Sequence, residues 1–97
     1  MNMQALMRQA QNLQKDMLNT KQEIDSMIFS GENGFVKVKV NGKKEVIEIK
    51  IENEEIEKDD LEVLSDMLII ALNNAFKEVD KKIEEKMGKF SNIPGLF

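Results

Sequence analysis

With 97 residues, 41% of them hydrophobic, and a formal charge of −4, the chain has the apolar content of one small domain and too little bulk for two. It contains no His, Cys, Tyr or Trp, which excludes Cys/His and Ser/His nucleophilic catalysis, thiolate and imidazole metal sites, and disulfides. The longest apolar run, Met67 to Leu72, is far too short to span a bilayer and no secretory signal opens the chain, so a soluble cytoplasmic protein with no membrane partner is expected.

Residues 1–26 carry the first strong pattern. Met3, Leu6, Ala10, Leu13, Met17 and Ile24 recur at helical spacing with no Gly or Pro between them, which predicts a helix capped by Asn2. Over 27–51 the period falls to two. Met27 to Ser30 reads as a short strand, and Gly31 and Gly34 flank a turn. Val36, Val38 and Val40 then alternate with Lys37 and Lys39, and Ile47, Ile49 and Ile51 line one face of a third strand. Asn41-Gly42 between alternating runs signals a hairpin with a type I′ turn, both central residues at positive φ.

Residues 52–58 form an acidic connector with room for one helical turn. Asp59, with Glu62 three positions on, reads as a capping box that opens a second helix over 59–87. Gly88 supplies its stop, and 88–97 reads as a flexible tail. The whole is one α+β domain, 1–97, in the order α-β-β-β-α with a three-stranded antiparallel sheet.

Lengths then constrain shape. Helices of about 25 and 28 residues measure roughly 37 to 42 Å, whereas strands of six or seven residues reach about 20 to 24 Å, so the helices must overhang the sheet. Antiparallel packing is expected to set Met3, Leu6 and Met7 on Val79, Ile83 and Met87 as a projecting two-helix arm. The second helix is apolar on more than one face at Met67, Leu68, Ile69, Ile70 and Leu72, and the alternation turns Val46 away from the Ile47, Ile49, Ile51 row. A second copy of the chain is the expected cover, giving a two-fold homodimer with two protruding arms.

The segments MRQAQNLQKDM, FVKVKVNGKKEVIEIKI, LNNAFKEVDKKIEEKMGKF and IPGLF, in this order and spacing, resemble the YbaB/EbfC family across essentially the whole chain. The resemblance implies a bacterial, nucleoid-associated homodimer shaped like tweezers, not an enzyme, that binds double-stranded DNA and alters its conformation. An acidic protein needs local positive charge for that task, because duplex affinity comes largely from Lys and Arg displacing counterions. Met1 to Lys44 holds seven Lys/Arg and four acids, Glu45 to Asp66 two Lys and ten acids, and Met67 to Phe97 five Lys and four acids. Arg8 and Lys15, in a stretch free of acid, with Lys81, Lys82, Lys86 and Lys89 on the second helix, are therefore the candidate DNA-binding residues.

Each feature also has a plainer reading. Lys81, Lys82 and Lys86 alternate with Glu78, Glu84 and Glu85 as on a solvated helix face, and Lys37, Lys39, Lys43 and Lys44 suit edge protection of the hairpin. The methionines of the first helix fit a packing seam as well as an adaptable binding surface. The acids of 52–60 lack the Gly-centred calcium-loop pattern, and GENG lacks the Walker lysine. No cofactor and no small-molecule substrate is expected. Nor does any helix present an identifiable base-reading set, which points to little sequence specificity. A different class of reading, a protein-interaction or assembly adaptor whose DNA binding is incidental, uses the same apolar seams and acidic centre.

Overall fold

In the computed structural model, which describes residues 2–90, the chain runs α1 (Met3–Asp25), β1 (Ile28–Asn33), β2 (Val36–Asn41), β3 (Val46–Ile51) and α2 (Asp60–Met87), closing on a 3-10 turn at Gly88–Phe90. The α-β-β-β-α order and the antiparallel sheet, in spatial order β1-β2-β3, match expectation. Met1 and 91–97, the greater part of the expected tail, lie outside the described residues. Asn2 caps α1 as the sequence predicts. Its extended backbone lets the side-chain carbonyl accept from the N–H groups of Gln4 (3.1 Å) and Ala5 (3.4 Å).

The core lies between one face of the sheet and α2. Val36, Val38 and Val40 of β2 and Phe29 of β1 meet Ala71, Ala75 and Val79, with Leu64, Met67, Leu68, Leu72 and Phe76 packed around them. Gly31 stands at the centre of this contact, inside β1 and not beside a turn as its type suggested. A Cβ there would overlap the Ala71 carbonyl oxygen and come within 2.6 Å of the Ala75 amide nitrogen. The strand extends to Asn33 because Gly31 is where the helix backbone passes over it.

The hairpin also departs from the type I′ geometry. No positive φ occurs at Asn41 or Gly42; the left-handed residue is Lys44, at φ 63°. The loop is thus a three-residue connection, Gly42 to Lys44, with its αL residue last. The Lys44 N–H donates to the Asn41 carbonyl (3.0 Å). Asn41 Oδ1 accepts from the N–H groups of Lys43 (2.9 Å) and Glu45 (3.0 Å), and its Nδ2 donates to Glu45 Oε1 (2.9 Å). Gly42 is required for space: a Cβ would overlap the Ile24 carbonyl and lie 2.9 Å from Asp25 Cα, so the end of α1 rests on the loop.

Three further expectations change. A register shift between Lys39 and Val40 sets Val40 opposite Val46, leaving Ile47 as the extra residue of a β-bulge. Directly paired residues share a face, so Val46 joins Ile49 and Ile51 instead of opposing them. Asp59 already has helical backbone (φ −68°, ψ −25°) and makes no cap bond, because an N-cap side chain needs an extended backbone to reach back over the helix. The Asp60 carboxylate instead accepts from the Glu57 N–H (2.9 Å), and the connector before it forms no helical turn. α2 does end at Met87 with Gly88 as its C-cap, as the sequence predicts, although Gly88 is right-handed and a 3-10 turn carries the chain on to the buried Phe90.

The helices overhang as their lengths require. The molecule measures 71 × 19 × 14 Å with a radius of gyration of 19.6 Å, against about 13 Å for a compact chain of this size. The arm differs from the expected helix pair, however. Met3, Leu6 and Met7 are 73, 48 and 60% exposed while Val79 belongs to the sheet core. Val79 cannot serve both the sheet and the tip of α1, so the outer half of α1 projects alone.

Replacing Gly31 with Ala should cost about 1–3 kcal/mol by overpacking a backbone contact, read as a lower denaturation midpoint. Gly88→Ala, at right-handed φ with nothing within 4 Å of the added Cβ, should instead stabilise by about 0.4–1 kcal/mol.

Candidate nucleic-acid interface

The basic side chains separate into two sets by what surrounds them. Arg8 and Lys15 stand on α1 seven residues apart, hence on one face with a rise of about 10 Å between them. That face is opposite the Leu6, Leu13 stripe. Both are exposed, and among the described residues neither enters an ion pair. On α2, Lys81 is exposed and Lys86 half-buried, again without ion pairs. Lys82 holds Glu85 at 3.5 Å. The Lys89 ammonium sits 5.0 Å above the Phe90 ring, an orientation that keeps the charge at the surface while the ring is buried.

The hairpin lysines are largely neutralised. Lys37 pairs with Glu52 (3.4 Å), Lys39 with Glu48 (3.7 Å) and Lys44 with Asp80 (2.6 Å). The last contact links the hairpin loop to α2. Of this second patch only Lys43 carries an ammonium free of ion pairs. Unpaired positive charge is therefore concentrated on α1 and the last third of α2, while the acids of 52–66 lie at the opposite end of α2.

A separate surface is apolar. α2 covers β1 and β2 but not β3, every residue of which is exposed. Val46, Ile49 and Ile51 share the face that α2 covers on β2, yet all three stay exposed among the described residues. Ile69 and Ile70 are 58 and 44% exposed, and Leu61 and Val63 are exposed further along the helix. Of the six residues expected at a dimer interface, Val46, Ile69 and Ile70 are thus open, whereas Met67, Leu68 and Leu72 pack partly against the chain's own core. Ile49 and Ile51 were not among the six. The signal that finds them is Gly31, since a glycine facing Ala71 and Ala75 seats the helix over the β1 side of the sheet.

Among the described residues no group of three or more acidic side chains is arranged to hold a metal ion, and no helix is long and apolar enough to cross a membrane. The class that this fold and surface define is a two-layer α+β protein that presents a basic helical arm and an uncovered apolar edge.

Residues 1–93 match the family described as the YbaB/EbfC DNA-binding family. A nucleoid-associated protein of Ligilactobacillus salivarius is 41% identical over 99% of this chain and 95% of its own length. One of Bacillus licheniformis is 45% identical over 99% of this chain and 94% of its own. An uncharacterized protein of Helicobacter pylori, known from a crystal structure, shares the fold with a TM-score of 0.75 at 21% identity, over 93% of this chain and 97% of that one. The chain belongs to the YbaB/EbfC family.

Proposed function

We propose that this chain is a nucleoid-associated protein that binds duplex DNA as a homodimer, with little sequence specificity, and alters the conformation of the DNA it holds. The observation that carries the reading is the placement of unpaired positive charge. Arg8 and Lys15 occupy a helix that projects from an acidic body, in a stretch without acid from Met1 to Lys15. Family membership and the names of the relatives supply the ligand class. Contacts made by a few cations per arm go to phosphates, which position a duplex without reading its sequence.

Dimerisation is supported by the apolar surface of β3 and α2. Fully exposing a Val, Leu or Ile side chain forgoes roughly 1.5–3 kcal/mol of burial, and Val46, Ile49 and Ile51 on β3 and Ile69 and Ile70 on α2 are all exposed. Two copies joined across that surface place two α1 arms on one particle. Sedimentation at micromolar concentration should therefore give the dimer mass, and Ile49→Glu with Ile70→Glu should give a monomer that keeps its helix content. A stable wild-type monomer would remove the two-armed arrangement.

Binding itself should weaken steeply with salt, log K falling by about 0.9 per phosphate neutralised for each decade of salt, and unrelated duplex should compete well. Changing Arg8, Lys15, Lys81 and Lys86 to Ala should weaken the gel shift and flatten its salt slope. Changing Lys37, Lys39, Lys43 and Lys44 to Ala removes the same formal charge, but three of these four lysines are already paired, so affinity should fall clearly less. Equal losses would move the site to the sheet. No shift even at low salt would favour the adaptor reading.

A further inference from the structure

The chain has seven Met and no Cys, His, Tyr or Trp, so a peroxide meets thioethers as its reactive side chains. The six methionines among the described residues divide by their surroundings. Met67 packs against the core with its sulfur over Gly34, where an added Cβ would come within 2.6 Å of Sδ. Met27 also packs on the core, and Met17 and Met87 are half-buried along a groove between α1 and α2. Met3 and Met7 are 73 and 60% exposed. We propose that Met3 and Met7 form a reversible oxidation site, and that their sulfoxides unwind the outer half of α1.

The step needs only hydrogen peroxide. The sulfur lone pair attacks one peroxide oxygen, the S–O bond forms as the O–O bond breaks, and the departing hydroxide takes the remaining proton to leave as water. Sulfur is oxidised and peroxide reduced, and the side chain gains an oxygen atom but no charge. What changes is polarity, because a flexible apolar thioether becomes a polar group with an acceptor oxygen.

Position decides what that change does. Residues 2–12 are all exposed, so the outer arm is helical through its own propensity and not through packing. Met, Gln, Ala, Leu and Arg favour a helix, yet an isolated helix of fewer than about 12–15 residues is marginal in water. Met3 and Met7 stand one turn apart on the same side. Met3 lies in the first turn, whose N–H groups have no partner within the helix, and Asn2 already holds those of Gln4 and Ala5. A sulfoxide oxygen beside them competes for backbone N–H groups as Ser and Asn side chains do, which favours non-helical backbone. Arg8 follows Met7 directly, so unwinding also removes its fixed spacing from Lys15.

The oxidation site stands on exposure and helix chemistry, whereas its effect on binding rests on the proposed DNA function. Titration of the full chain with hydrogen peroxide tests both. Tandem mass spectrometry that separates Met1 from Met3 and Met7 should show Met3 and Met7 oxidised about tenfold or more faster than Met67. As they convert, helix ellipticity should fall and the gel shift with duplex DNA should weaken. Methionine sulfoxide reductases of both epimer specificities should restore the two signals. Met3→Leu with Met7→Leu keeps apolar helix formers at both positions, and this variant should hold its helix content and gel shift through the same treatment. Equal oxidation rates at Met3, Met7 and Met67 would overturn the site. Unchanged ellipticity at full conversion, or an equal loss in the Leu variant, would overturn the unwinding. A missing gel shift before peroxide is added would count against the DNA function instead, while the mass and ellipticity readings would still decide the oxidation site.

Discussion

The approach of α2 to β1 at Gly31 is the contact on which the rest of the structure depends. With no side chain at Gly31 and only methyl groups at Ala71 and Ala75, the helix backbone settles directly onto the strand. That seat is off-centre: β1 is an edge strand of a three-stranded sheet, and a helix held so close to it spans β2 but stops short of β3. The buried residues therefore come from β1, β2 and α2 alone, and the isoleucines of β3 remain in the open. An apolar row that a centrally seated helix would have covered is instead left exposed.

The same contact positions the arm. Because α2 runs antiparallel to β1, its C-terminal end comes to the start of β1, which is where α1 arrives. Gly42 lets Ile24 rest on the hairpin loop, and Lys44 joins that loop to Asp80 of α2. An exposed ion pair contributes at most about 1 kcal/mol, and a non-glycine αL residue costs roughly 1–2 kcal/mol, so the pair alone does not hold Lys44 there. The Asn41 side chain, closing the loop with three hydrogen bonds, offsets the strain. α1 thus has a firm base and no support further out, which is why its outer half extends the molecule to 71 Å.

Element identity was legible in the sequence because it is a local property. The 3,4 spacing of α1, the alternation of Val36 to Val40 and the polar cap at Asn2 each act within a few residues. The errors arose where a long-range contact overrode a local preference. Asn41-Gly42 has the composition of a type I′ turn, but Gly42 is spent on the approach of Ile24, and the left-handed residue moves to Lys44. Gly31 looks like turn punctuation, yet its neighbour is a helix forty residues away. Val46 was assigned to the wrong face because one inserted residue, Ile47, reverses a period of two. The candidate basic residues were recoverable as exposed positions, and their division into paired and unpaired sets was not, since pairs such as Lys37 with Glu52 or Lys44 with Asp80 are made by the fold.

That division resolves how an acidic protein serves a polyanion. Net charge sets a long-range field, which here opposes approach, and in physiological salt that field decays over about 8 Å. An arm that projects farther than this from the acids of 52–66 is electrostatically decoupled from them. Arg8 stands about 24 Å of helix rise from Ile24, several screening lengths out along the arm. The extended shape and the segregated charge are two parts of one solution, and a compact fold of the same composition would not provide it.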